Sequence, residues 1–317
     1  MSRRHIPQEI LDAAHARSAA RVAGDWAEAD RLRDTIEAAG WVIVDRGTDF
    51  ALTPSAPADA VVGERTRYGA SANVPSRAAE PDTGIATVVL VARDRPDCLA
   101  RALTALQAGS PATTTFVVVA DDPSPEQAEA LQALPVGGTL EVVWTVRALG
   151  DAAAMNIGIR RSVGAMVILL DTQAAVTGDI VTPLSRALGD PTVAVAGGWG
   201  TTSTDLRRFE AAPPGDVDAI KLVCQAFRRA DALSRGPLDE RFRTADHLAA
   251  WWSLVLRDNG EDATPGRAVG IADLPLVLPD VPRADTPSRY AQPRDEKRDG
   301  YRIIDRFGWR RDLLTKG

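Results

Sequence analysis

A run of apolar residues that ends in a carboxylate sets the strongest limit on how this chain can fold. Residues 165–170 are uninterrupted hydrophobic residues, Asp171 follows them directly, and Gly164 and Gly178 flank the stretch. Such a run is typical of a strand that is buried on both faces of a parallel sheet. Ligands of open α/β sheets bind beyond the carboxyl ends of the strands. The pattern therefore predicts that Asp171 emerges at a ligand-binding edge.

Strand and helix patterns alternate around this stretch. Apolar runs predict strands, and residues with helical spacing or capping signals predict helices between them. The strands are expected over residues 86–91, 115–120, 140–145 and 165–171, with helices over 97–108, 124–134 and 151–163. Ser124-Pro125-Glu126-Gln127 adds a capping box with proline at the first helical position. The regular alternation implies right-handed crossovers, and so an α/β fold with a mostly parallel sheet.

The remaining chain has a different organisation. Residues 1–53 show two helical patterns that break at Gly24-Asp25 and are followed by two short strand patterns, which predicts a helical hairpin with a β-ribbon. Residues 54–84 are rich in Pro, Ala and Ser and are expected to form a linker. The large domain is predicted over residues 85–280, and residues 281–317 form a tail with one helix packed on that domain.

Composition excludes several classes of function. The net charge of -6 argues against a general nucleic-acid or anionic-membrane binder. No stretch approaches about 18 consecutive apolar residues, so no membrane span is expected. Cys98 and Cys224 lie beside apolar residues without metal-ligand spacing, which is typical of reduced cysteines in a cytosolic protein. No secretory signal follows Arg3 and Arg4, and a cytoplasmic location is therefore predicted.

Several short motifs carry a resemblance to a known family. They are Val-Val-Leu-Val-Ala-Arg-Asp-Arg-Pro at 88–96, Val-Val-Val-Ala-Asp-Asp-Pro-Ser at 117–124, Asn-Ile-Gly at 156–158, Gly-Pro-Leu-Asp-Glu-Arg-Phe at 236–242 and Trp-Trp-Ser-Leu-Val-Leu-Arg-Asp-Asn-Gly at 251–260. In this order, residues 85–278 resemble the family 2 glycosyltransferases, which have a nucleotide-binding, Rossmann-like α/β fold called GT-A. The tail from Arg294 is similar to tails of actinobacterial members.

The resemblance implies a nucleotide-sugar donor and inverting transfer of its sugar to an acceptor, which the sequence does not identify. By the family's pattern, Asp121 contacts the base, while Asp94 and Asn156 fall in donor-binding motifs. Arg147 could pair with a phosphate, because a guanidinium group matches phosphate bidentately. Two of these residues also have a structural interpretation, with Asp121 as a turn aspartate and Arg147 as a surface arginine. Homo-oligomerisation stays open.

Two departures from the family bear on catalysis. Asp171 matches the first carboxylate of the Asp-x-Asp metal motif, but Gln173 replaces the second, so Mn²⁺ or Mg²⁺ binding is expected to be weakened. The family's acidic motif would fall within residues 248–251, which hold no carboxylate. Asp246 lies at least two residues early and is the candidate catalytic base. As structural alternatives, Asp171 ends a strand and Asp246 caps a helix.

The N-terminal part has a resemblance of its own, because residues 20–34 and 38–45 look like the C-terminal tail of bacterial cysteinyl-tRNA synthetases. The synthetase's catalytic signatures are absent, which excludes aminoacylation. The acidic balance opposes an RNA-linked role, since phosphate contacts need clustered Lys or Arg. The main alternative to a transferase is a degenerate GT-A protein that binds a nucleotide or a protein partner without catalysis.

Overall fold

The fold is described from a computed structural model over residues 6–46, 49–278 and 293–315. The chain divides into two compact units, Met1–Ala58 and Asp59–Gly317. Part of the predicted tail, residues 281–292, lies outside the described residues. None of the described helices is long and apolar enough to cross a membrane.

The smaller unit is a helical hairpin followed by an antiparallel ribbon. Its elements are α1 (Gln8–Ala23), α2 (Trp26–Ala38), β1 (Trp41–Arg46) and β2 (Asp49–Pro54). Gly24 ends α1 in the left-handed region at φ 75°, and the Asp25 carboxylate accepts a hydrogen bond from Glu28 N and caps α2. The unit has its own core, formed by Ile10, Ala14, Ile36, Trp41 and Ile43.

The larger unit alternates strands and helices before and after the Asp171 stretch. Its elements are β3 (Ala60–Val62), β4 (Arg65–Tyr68), β5 (Gly84–Ala92), α3 (Pro96–Gly109), β6 (Thr114–Ala120), α4 (Pro125–Gln132), β7 (Leu140–Thr145), α5 (Asp151–Arg161), β8 (Gly164–Leu170), β9 (Ala175–Val176), α6 (Val181–Leu188), β10 (Val193–Gly197), β11 (Gly200–Thr202), β12 (Glu210–Ala212), β13 (Gly215–Val217), β14 (Ala219–Ile220), β15 (Cys224–Arg228), α7 (Arg229–Arg235), α8 (Ala245–Arg257), β16 (Arg267–Gly270), β17 (Leu276–Val277) and α9 (Pro293–Phe307). Short 3₁₀ turns occupy Ser71–Asn73 and Arg311–Leu313. Half of the predicted capping box is present, because Ser124 Oγ accepts a hydrogen bond from Gln127 N, whereas the Gln127 side-chain oxygen accepts from Arg95 N instead of Ser124 N.

One ten-stranded sheet organises this unit, in the order β13-β16-β10-β15-β8-β5-β6-β7-β4-β3. The strands β8, β5, β6, β7 and β4 are mutually parallel, whereas β15 runs antiparallel to both of its neighbours. The central strands are buried on both faces, as the apolar run that includes Ile168 predicted. The predicted α/β fold with a mostly parallel sheet is confirmed.

The stretch predicted as a linker, residues 54–84, differs from that prediction. β4 pairs with β7, and the guanidinium carbon of Arg67 lies 5.5 Å from the centre of the Trp144 ring. Arg229, which is 4% exposed, donates hydrogen bonds to two carbonyl groups and one carboxylate within residues 77–82. Arginine side chains rather than an apolar period hold this segment, which is why its composition indicated a linker.

The C-terminal helix α9 packs on the larger unit, as its apolar residues predicted. Ile303, Phe307 and Leu313 are fully buried in the same core cluster as Trp252. The guanidinium carbon of Arg306 lies 5.3 Å from the centre of the Trp251 ring. The helix therefore belongs to the fold of the larger unit.

Candidate active site

The carboxyl ends of the parallel strands place Asp121 and Asp171 at one edge of the sheet. Asp121 directly follows β6 and Asp171 directly follows β8, and β5 lies between these two strands. Strand spacing puts the two chain positions about 10 Å apart across the sheet. Both residues therefore follow strands that end at the same edge of the sheet. A cavity of about 400 Å³ lies elsewhere, against β4 and β7, and does not include Asp121 or Asp171.

The Asp121 carboxylate is completely buried, and donors of this chain occupy it. Its Oδ2 accepts hydrogen bonds from Arg93 Nε at 3.0 Å and Arg93 Nη2 at 2.7 Å. Its Oδ1 accepts from Leu149 N at 2.7 Å, and Gly150 N lies 3.4 Å from Oδ2. Asp121 thus fixes the loop after β7. A nucleotide base could reach this carboxylate only by displacing one of these donors.

Arg93, the first residue after β5, bridges two carboxylates at this edge. Its Nη1 donates to Asp151 Oδ1 at 2.7 Å, while its Nε and Nη2 hold Asp121. Burial lowers the Arg93 pKa, but the Asp151 and Asp121 carboxylates raise it by more, so the net pKa lies above its usual value. The sequence interpretation missed this role because the family motif indicated the neighbouring Asp94 instead. Arg93 is a fixed cation within a largely buried cluster.

Asn156 is buried, and its side-chain amide makes hydrogen bonds to protein atoms. Its Nδ2 donates to Leu238 O at 2.9 Å and to Glu240 Oε1 at 2.9 Å, and its Oδ1 accepts from Leu238 N at 2.8 Å. The side chain therefore ties α5 to the segment that precedes α8. The donor-binding role that the resemblance implied for Asn156 would require these contacts to break.

Arg147 and Asp94 lie in two different loops of the carboxyl edge. Arg147 is half-buried in the loop after β7, and its Nε is buried without a hydrogen-bond partner among the described residues. Asp94 is exposed in the turn between β5 and α3. Asp94 follows β5 and Arg147 follows β7, so both lie in loops at this edge of the sheet.

Asp171 is held in one orientation by its own turn. Its Oδ1 accepts a hydrogen bond from Gln173 N at 2.9 Å, and its backbone N donates to Val223 O. In the described ranges, no group of three or more His, Cys, Asp or Glu side chains could hold a metal ion. Asp171 can supply one oxygen ligand, and Mn²⁺ or Mg²⁺ would need waters and substrate oxygens for the rest. The residues present fit a divalent ion only in part.

Asp246 is exposed in the first turn of α8 and does not cap this helix. The cap comes from α9, because Asp299 Oδ2 accepts from Arg243 N at 2.8 Å and Thr244 N at 2.9 Å. The structural interpretation of Asp246 as the helix cap is therefore wrong. Sequence reasoning missed Asp299 because the capping residue lies 55 residues beyond Thr244 and no local signal links the two.

The start of α8 adjoins the carboxyl edge of the sheet. Arg243 Nη1 lies 3.6 Å from the position that a Cβ atom on Gly150 would occupy. Gly150 belongs to the loop that Asp121 fixes, and its φ of 100° favours glycine. Residues at the first turn of α8 are therefore near the loops that carry Asp121 and Arg147.

Residues 87–231 match the family model described as Glycosyl transferase family 2. This region spans β5 to α7 and includes Arg93, Asp121 and Asp171, but not α8 or α9, and it covers a little under half of the chain. The match supports a family 2 glycosyltransferase domain. No curated protein matches the chain by sequence.

Several solved structures are similar to this chain at low sequence identity. GalNAc-T7, solved with UDP, GalNAc and Mn²⁺, is 15% identical, with a TM-score of 0.54 over 70% of this chain and 48% of that one. The mannosyltransferase PcManGT from Pyrobaculum calidifontis, solved with GDP-Man and Mn²⁺, is 18% identical, with a TM-score of 0.48 over 67% and 61%. S. aureus TarS 1-349 is 13% identical, with a TM-score of 0.47 over 61% and 59%. The chain thus spans about half to three fifths of these proteins, and the likeness to GalNAc-T7 supports a GT-A type of fold.

Proposed function

We propose that this protein is a family 2-type glycosyltransferase that moves a sugar from a nucleotide-sugar donor to an acceptor hydroxyl with inversion. The observation that carries the proposal is Asp171 at the carboxyl edge of the sheet, inside the region that matches the family model. The loop after β7 and the start of α8 adjoin each other at this edge.

The chain's own residues divide the work of donor binding. Asp171 and the side-chain oxygen of Gln173 are the residues that would hold a divalent cation, which neutralises the diphosphate charge when bound. Arg147, half-buried in the loop after β7, would pair with a phosphate through its guanidinium group. Asp121 acts indirectly, because it holds the loop that carries Arg147. A base contact by Asp121 would need the Arg93 pair to open.

A second candidate function is nucleotide or partner binding without turnover. It is favoured by Gln173, which stands where the family has the second carboxylate of its metal motif. It is also favoured by the contacts of Asp121, since Arg93 binds its Oδ2 and Leu149 N binds its Oδ1, the two atoms that a nucleotide base would use. In this alternative, the fold of a transferase persists as a binding module.

The test measures nucleoside diphosphate release from a panel of nucleotide-sugars, with and without Mn²⁺. A transferase is expected to release it slowly by hydrolysis, and Asp171→Ala is expected to abolish the Mn²⁺-dependent part. Asp190→Ala is the matched control. Asp190 Oδ1 accepts from Thr192 N at 2.8 Å in the same local geometry, but it precedes β10 and lies at the opposite edge of the sheet.

Gln173→Asp adds the second carboxylate of the family motif and is expected to tighten Mn²⁺ binding, since hard cations favour anionic oxygen ligands. Isothermal titration calorimetry with Mn²⁺ and a nucleoside diphosphate measures the change. Release that requires both Mn²⁺ and Asp171 would reject the binding-only alternative. No release from any donor, together with nucleotide binding that is indifferent to Mn²⁺ and to Asp171→Ala, would reject the transferase.

A further inference from the structure

Three side chains at the start of α8 form a hydrogen-bonded relay. Asp299, fully buried on α9, accepts from the Thr244 hydroxyl at 3.0 Å through Oδ2. Thr244 Oγ1 lies 2.8 Å from Nδ1 of His247. Arg302 Nε lies 3.8 Å from the other Asp299 oxygen. The relay joins a buried carboxylate to an imidazole through one hydroxyl group.

Counting the protons along the relay shows that Nδ1 of the imidazole carries a proton. Asp299 Oδ2 also accepts from two backbone N–H groups, so this oxygen is an acceptor and the Thr244 hydroxyl donates its single proton to it. Thr244 Oγ1 must then accept from His247 Nδ1–H. Nδ1 therefore carries a proton, and when the ring is neutral its lone pair is on Nε2. This tautomer is the one that can accept a proton at Nε2.

The Nε2 edge of His247 faces α9 at Gly300. A Cβ atom at Gly300 would lie 3.5 Å from Nε2, so glycine leaves this space beside the ring free of a side chain. The ring as a whole is half-buried. By contrast, the exposed Asp246 beside it is not part of the relay. Of the two neighbours at the start of α8, His247 is the oriented one.

We propose that His247, rather than Asp246, is the catalytic base that activates the acceptor, with Thr244 and Asp299 as positioning residues. The inference rests on the proposed transferase function. The acceptor O–H proton passes to His247 Nε2 as the acceptor oxygen bonds to the anomeric carbon. The bond from that carbon to the donor's phosphate oxygen breaks, and its electron pair leaves with the nucleoside diphosphate. The imidazolium then returns the proton to solvent.

The first test reads the tautomer without any substrate. The chain has three histidines, so ¹⁵N-histidine labelling with His247→Gln as the assignment variant identifies the signals of this ring. At pH 8 the bound proton is expected on Nδ1. Thr244→Val keeps the shape of the side chain and the amide that binds Asp299, but it removes the hydroxyl, and the Nδ1–H preference should be lost. A wild-type ring protonated on Nε2 would overturn the relay.

The second test uses whichever donor the unaltered protein turns over. His247→Gln is expected to lower kcat by about 10²-fold or more with little change in the donor KM, which is the size of a general-base contribution. Asp246→Asn should change kcat less than about threefold. Thr244→Val should lower kcat and distort its pH profile while Asp299 still caps the helix, whereas a merely structural role would leave that profile unchanged.

The outcomes separate this inference from the proposed function. Turnover that survives His247→Gln but falls with Asp246→Asn overturns the assignment of the base and leaves the transferase intact. A protein without turnover for any donor overturns both the transferase and the catalytic role of His247, while the tautomer result still decides the relay. Circular dichroism of His247→Gln serves as the folding control.

Discussion

Replacement of Arg93 by methionine tests the buried charge cluster at the carboxyl edge. Methionine keeps an unbranched chain but removes the cation between Asp121 and Asp151. The Asp121 side chain is 0% exposed, so its charge would keep only the Leu149 and Gly150 amides and the distant Thr145 hydroxyl as partners. Removal of one partner from a buried ion pair lowers the free energy of unfolding by about 3–5 kcal/mol in general. Because the Arg93 side chain is 22% exposed, we expect a loss at the lower end, about 3 kcal/mol.

A double-variant cycle isolates the pair from the other effects of each substitution. Asp121→Asn removes the charge but keeps an acceptor oxygen for the backbone amides, so it should cost less than Arg93→Met. In the double variant no unpaired carboxylate remains at residue 121. The cost of the double variant should therefore fall below the sum of the single costs by about 1–3 kcal/mol, the range for contacting residues.

Urea unfolding of the full chain, followed by circular dichroism, measures these differences. With a slope near 2 kcal/mol/M, Arg93→Met should lower the midpoint by about 1.5 M. Arg101→Met is the matched control, because Arg101 is exposed on α3 and its only described hydrogen bond goes to Cys98 Sγ, so its cost should stay within about 0.5 kcal/mol. If the costs of Arg93→Met and Asp121→Asn are additive, or if Arg93→Met lowers the free energy of unfolding by less than about 1 kcal/mol, the inference that the Arg93–Asp121 pair holds the loop after β7 is refuted.

Three further predictions concern thiol chemistry, acid stability and the unit boundary. Burial raises the pKa of Cys224 to about 12, so iodoacetamide at pH 8 should modify the partly exposed Cys98 alone in the folded protein and both thiols in urea, as counted by mass spectrometry. The Arg207 amide lowers the pKa of Asp205, so the ionised carboxylate stabilises the folded protein above about pH 4, and this stabilisation is lost as the pH falls. The loss of Tm in Asp205→Asn at pH 7 should therefore shrink by pH 3, and a pH-independent loss would contradict this role of the carboxylate. Deletion of residues 1–58 should leave a cooperatively unfolding protein, since each unit has its own core, and an aggregated product would contradict the boundary.

The positions of Asp121 and Asp171 followed from sequence because backbone topology alone determines them. Long apolar runs separated by helical patterns fix a parallel sheet, and the residue that ends each run must emerge at its carboxyl edge. The partners of Asp121 could not be inferred in the same way. A buried carboxylate that binds Arg93 and one that waits for a ligand have the same local sequence.

Long-range contacts explain the other differences. The cap of α8 comes from Asp299, whose surroundings in sequence are a run of mixed charges that resembles a solvated helix face. The edge strand β4 carries two arginines and no apolar alternation, so it had the composition of a linker. In both cases the deciding contact comes from a polar side chain that is distant in sequence from its partner, so local patterns do not show it.

The position of β4 has a consequence for any shortened form of the protein. β4 precedes the region that matches the family model, yet it covers the side of β7 where Trp144 and Thr145 pair with it. A fragment that begins at residue 85 would expose these backbone groups and the indole face on which Arg65 and Arg67 stack. Unpaired strand edges pair with strands of other molecules, so such a fragment should self-associate. A fragment that begins at Asp59 keeps β3 and β4, and β7 stays paired.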